Sequence, residues 1–105
     1  MLLQQGDVLI KSIDKLPENL SKVLPKENKL ILAEGEATGH CHAISDIDNV
    51  ELLQDKNGNL FLDVKEEIDL THDEHNTITI NPGQYEIDIV REYDHFEEEA
   101  RKVED

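Results

Sequence analysis

The sequence predicts an all-β fold, a small antiparallel barrel or two-sheet sandwich. Three observations carry that expectation. Apolar residues repeat with period two rather than 3.6: Leu60, Leu62 and Val64 alternate with Phe61, Asp63 and Lys65, and Tyr85, Ile87 and Ile89 alternate with Glu86, Asp88 and Val90. Two dipeptides suited to chain reversal, Asn57-Gly58 and Pro82-Gly83, lie between such segments. The aliphatic content is enough for a core, because 13 Leu, 10 Ile, 6 Val and 2 Phe make 31 of 105 residues, above the roughly 20% at which disorder sets in. A chain of this length makes one domain, 1–105, which ends in an acidic tail from about residue 94.

Taken in order, Asp7–Ile13 is the first predicted strand and Lys29–Ala33 the second, both rich in aliphatic residues and bounded by Gly, Pro or Asn. Between them Leu16–Pro25 is closed by Pro17 and Pro25 and reads as a connection with a short helical turn over Glu18–Leu24. A strand is expected over residues 40–47. Val50–Gln54 and Asn59–Val64 should pair through Asn57-Gly58, whose tolerance of positive φ suits a two-residue loop. Glu66–Thr71 adds a short strand, and Thr77–Ile80 should pair with Gln84–Val90 through Pro82-Gly83. From His40 onward the chain thus reads as an antiparallel meander. His95–Val103 predicts a short C-terminal helix with a thin apolar stripe of Phe96, Ala100 and Val103, and Glu97-Glu98-Glu99 facing solvent.

The charge is lopsided. Residues 1–33 carry five Lys against four acids, and the remaining residues carry five bases against 21 acids, which accounts for the net −15. Such a field attracts cations and repels phosphate backbones and anionic membranes, so no nucleic acid and no membrane is expected as a partner. A protein partner or a homo-oligomer stays open. The single cysteine excludes an internal disulfide and any Cys-rich zinc module. The start, Met1 to Asp7, has neither a basic region nor a long apolar run, so a cytoplasmic location is expected.

Four of the five histidines fall in two pairs, His40 and His42 in Gly39–Ile44 and His72 and His75 in Leu70–His75. Neutral imidazole is the commonest protein ligand for zinc and related ions. On a strand, His40, His42 and Ile44 share one face and Cys41, Ala43 and Ser45 the other. Ile68 and Leu70 are in phase with His72, which puts His72 at the inward end of its strand, where a turn can return His75 beside it. If the two strands meet, three or four nitrogens share a small volume. His40, His42, His72 and His75 are therefore the candidate ligands of one divalent transition metal, zinc or nickel first, since nitrogen ligands alone discriminate poorly among such ions. Three His would leave a water position and four would close the site. Glu74 is the candidate general base for a bound water, and Glu34 and Glu36 are candidate ligands or acceptors that orient imidazoles. A lone His on such a strand is ordinarily a hydrogen-bonded core residue; the occurrence of two pairs favours metal. Cys41 reads as a small hydrophobe, and His95 has no assigned role.

Gln5-Gly6-Asp7-Val8, Leu32-Ala33-Glu34-Gly35-Glu36, Gly39-His40 with His42-Ala43-Ile44, His72 with Glu74-His75, Pro82-Gly83 with Tyr85, and Arg91-Glu92-Tyr93 together resemble a pattern shared by a group of small uncharacterised bacterial proteins. That resemblance spans most of the chain and implies no reaction. Gly35 through His42 is only weakly similar to the first cupin motif: Gly35 stands one residue nearer His40 than in that motif, and Ser45, Asp46 or Ile47 replaces its Glu. The histidine triad pattern of nucleotide hydrolases does not fit, because Ile44 holds the third position. The expected function is a small metal-binding protein with a His-rich divalent site, with metal-dependent catalysis as one form of it. The alternative is an acidic protein-interaction or regulatory module without catalysis.

Overall fold

A computed structural model of the chain describes residues 2–34 and 41–89. Within them ten strands form two antiparallel sheets: β1 (Leu2–Gln5), β2 (Val8–Ser12), β3 (Ser21–Lys22), β4 (Leu30–Glu34), β5 (Cys41–Ile44), β6 (Val50–Gln54), β7 (Leu60–Val64), β8 (Ile68–His72), β9 (His75–Ile80) and β10 (Gly83–Ile89). One sheet has the order β1-β2-β10-β7-β6-β3 and the other β4-β5-β8-β9. The all-β, sandwich-like prediction holds. No helix among the described residues is long and apolar enough to cross a membrane.

The period-two pattern becomes the core directly. Val8 and Ile10, Leu30 and Leu32, Val50 and Leu52, Leu62 and Val64, Ile68 and Leu70, and Tyr85 and Ile87 each occupy alternate positions of one strand, and all are buried in a single cluster with Ile44 and Ile80. Burying such side chains contributes about 1.5–3 kcal/mol each relative to leaving them exposed, which is why these positions admit no polar residue without a partner.

Several expectations about connection are corrected. Pro82-Gly83 does not close a hairpin: β9 lies in the four-stranded sheet and β10 in the other. The chain crosses between sheets here, and the Tyr85 hydroxyl donates to the Asn81 carbonyl at 2.7 Å to hold the crossing. Turn residues report that a chain reverses, not which strand it then joins. β10 instead pairs on one side with β2, Ile87 opposite Ile10, and on the other with β7, Tyr85 opposite Leu62. The expected meander is accordingly broken at three crossings, β5 to β6, β7 to β8 and β9 to β10.

β6 and β7 do form a hairpin, but its loop runs from Asp55 to Asn59 and is not two residues long. The Asp55 carboxylate captures the backbone N–H groups of Asn57 and Asn59, both at 2.9 Å, and the Asn59 amide at 3.0 Å. These bonds, which hold the Asp55 carboxyl below its usual range, organise a wider loop than Asn57-Gly58 alone would need. The helical turn expected near 18–24 is absent. Ser21–Lys22 is extended as β3 on the edge of β6, where the Val23 N–H donates to the Leu52 carbonyl at 2.8 Å; satisfying that edge prevails over one turn of helix. The strand expected over 40–47 is described from Cys41 to Ile44, and Ile47–Asn49 forms a 3₁₀ turn. The C-terminal helix over His95–Val103 lies outside the described residues.

Candidate functional site

The site forms where one end of the four-stranded sheet meets the turn between β1 and β2. β8 and β9 are joined by the two-residue turn Asp73-Glu74, which pairs His72 with His75. β5 pairs with β8 through Ala43 and Thr71, and the Thr71 hydroxyl donates to the Ala43 carbonyl at 3.2 Å. One residue on in this antiparallel register, His42 stands across from His72. The ring centroids are 4.3 Å apart for His42 and His72, 4.5 Å for His72 and His75, and 5.8 Å for His42 and His75. His42 is 2% exposed, His72 half-buried and His75 exposed.

The turn at Gly6 supplies two further groups. Gln5, also buried, donates through Nε2 to the carbonyls of Leu70 and Asn76, both at 2.8 Å. Its Oε1 lies 2.8 Å from His42 Nδ1. Asp7 Oδ1 lies 3.3 Å from His42 Nε2. Gly6 has φ +58°, and a side chain there would meet His75: an added Cβ would fall 2.5 Å from His75 Nε2. The imidazole of His75 thus lies over a backbone segment that only glycine leaves open.

The hydrogen-bond network decides a tautomer. Carbonyl oxygens only accept, so the Gln5 atom facing Leu70 and Asn76 is the amide nitrogen, and the atom facing His42 is an acceptor. His42 must therefore donate from Nδ1, and in its neutral form carries a lone pair on Nε2. Burial holds His42 below the ordinary imidazole value; His72 and His75 push the same way, and the Asp7 carboxylate opposes them. Neutral His42 thus sets a nitrogen lone pair against a carboxylate oxygen, two acceptors facing one another with no proton between them. At His72 the assignment runs the other way: the Glu74 backbone N–H donates to Nδ1 at 3.0 Å, so neutral His72 keeps its proton on Nε2.

A family model for a domain of unknown function, DUF8820, matches residues 4–90. The chain belongs to the DUF8820 family. The matched span takes in Gln5, Asp7, His42, His72 and His75 and leaves out the acidic tail. No curated protein and no solved structure matches this DUF8820 chain.

Of the residues singled out in the sequence, the fold brings together His42, His72 and His75. His40 and Glu36 lie outside the described residues. Glu34 ends β4 opposite Cys41, and Cys41 is a half-buried free thiol. Glu74 is exposed on the hairpin turn. Among the described residues no three His, Cys, Asp or Glu side chains are spaced as ligands of one ion as they stand. Sequence reasoning missed Gln5 and Asp7 as site residues. The available signal was phase: Gln5 alternates with Leu3 and so falls on the inward face of β1, where a buried amide demands partners.

Proposed function

We propose that this domain binds one divalent transition metal, zinc or nickel, between His42 Nε2 and Asp7, with His72 and His75 completing the coordination. The observation that carries this reading is the 3.3 Å between His42 Nε2 and Asp7 Oδ1. Two donors each about 2.0–2.1 Å from a tetrahedral ion stand about 3.3 Å apart, so the facing acceptors have the spacing that a shared cation requires. Imidazole centroids on one such ion stand about 5 Å apart, and the three observed separations of 4.3, 4.5 and 5.8 Å bracket that value. The surrounding negative charge favours a cation. Entry of the ion requires His72 to release the Glu74 N–H and turn a lone pair inward; His75, exposed beside it, is free to adjust its ring.

The test is elemental analysis and thermal unfolding of the untagged protein with added zinc or nickel. With free ion at 100 times Kd, preferential binding to the folded state contributes about 2.7 kcal/mol and should raise Tm by roughly 10–20 °C. Asp7→Asn should lose most of that rise. Absence of both bound metal and a shift in Tm overturns the reading.

A further inference from the structure

We infer that Gln5 is the positioning residue of this site: by fixing its own amide on two backbone carbonyls, it locks His42 in the Nδ1–H tautomer and presents Nε2 to the ion shared with Asp7. The inference rests on the metal reading above for its purpose, but its structural content stands apart from it. A neutral histidine can carry its proton on either nitrogen, and only one choice leaves a lone pair on the Asp7 side. Nothing on the β5 strand makes that choice. It is made by a residue 37 positions away in sequence, whose Nε2 has both hydrogens committed, to Leu70 and to Asn76, and whose Oε1 can therefore only accept. The two carbonyls belong to β8 and β9, the strands that carry His72 and His75. One amide thereby ties the orientation of His42 to the backbone of the hairpin that supplies the other two rings. Hydrogen bonding to the non-ligating nitrogen is the usual means by which proteins orient a metal-binding imidazole, and losing it weakens metal binding by about 10–100-fold.

The experiment is long-range ¹H–¹⁵N NMR of the full chain, labelled in its histidines and free of metal, at about pH 8, above the ordinary imidazole value of about 6.5, followed by titration with zinc chloride. In the wild type His42 should show a protonated Nδ1 and an unprotonated Nε2. Gln5→Met, which keeps the length and removes both polar atoms, should mix the tautomers and weaken zinc binding by about 10–100-fold. Gln5→Glu, which in its neutral acid form donates its O–H to one of the two carbonyls and still accepts from Nδ1–H through its other oxygen, should restore the tautomer, a rescue that a packing role would not produce. An Nε2–H tautomer in the wild type overturns the inference even if Gln5→Met fails to fold. So does a Gln5→Met protein that keeps the wild-type tautomer and zinc affinity. An Nδ1–H tautomer lost in Gln5→Met, in a wild type that takes up no zinc, upholds Gln5 as the residue that sets His42 and counts against the metal reading alone.

Discussion

Gly6 is the point at which backbone conformation and site geometry can be perturbed together and then separated. Its φ of +58° lies in the left-handed region, where an L-residue such as alanine costs roughly 1–2 kcal/mol. The same substitution puts a Cβ 2.5 Å from His75 Nε2, with the neighbouring ring atoms at 2.9 and 3.1 Å, so the whole edge of the imidazole must withdraw. Because His75 is exposed, the withdrawal itself is cheap, and the stability loss should come from the backbone. Gly6→Ala should therefore lower Tm by roughly 5–15 °C in a domain of this size. Gly6→Asn carries the same Cβ but tolerates the left-handed region, and should recover at least half of that loss. Both variants should shift the ring resonances of His75 and weaken zinc binding to a similar degree. Thermal melts followed by circular dichroism, with histidine NMR on the same samples, separate the two effects. An alanine variant that melts within about 2 °C of the wild type, with His75 unmoved, would refute both the strain and the contact.

Two further outcomes follow from the same physics. Because burial depresses His42 in the folded state, the unfolded chain binds more protons between that depressed value and about 6.5; wild-type stability should therefore fall as pH drops through this interval and level off below it. Tm measured from pH 8 to pH 5 in metal-free buffer should show a smaller loss in His42→Gln, and equal pH slopes in the two proteins would contradict the assignment. Tyr85→Phe deletes the hydroxyl that holds the β9–β10 crossing and should cost about 0.5–1.5 kcal/mol, read from urea unfolding. An unchanged midpoint would mean that the crossing does not need this bond.

Much of the strand content was legible because alternation is a local property. Val50–Gln54 agrees with β6 residue for residue, and the other principal strands, β2, β4, β7, β8 and β10, lie within a few residues of the segments read from their patterns. The turn that returns His75 beside His72 could likewise be anticipated, whereas the meeting of β5 with β8 entered only as a condition. What could not be read is anything that depends on partner choice. The pattern of Thr77–Ile80 and Gln84–Val90 states which side chains turn inward, and both segments do so, but it is silent on the sheet each joins. β1 sets its two Leu side by side and not in alternation, and β3 has no apolar residue, so neither announces itself; they exist because β2 and β6 have edges to satisfy. Gln5 and Asp7 acquire their roles only once a turn at Gly6 meets a hairpin some 70 residues later, a contact no local window contains.

The place of β10 has a consequence for how the molecule comes into being. It is the last described strand to be made, yet it sits between β2 and β7 in the middle of the larger sheet. Until Gly83–Ile89 has left the ribosome, β2 and β7 each present an unpaired edge, and the two halves of that sheet have nothing to join them. Assembly must therefore wait for pairings such as Ile87 with Ile10, between residues far apart in the chain, which places the domain among slow-folding topologies. A nascent chain halted before residue 83 would hold open two strand edges flanked by apolar side chains, the form in which β proteins associate with one another. The seven residues Gly83–Ile89 decide between a closed domain and an aggregating fragment.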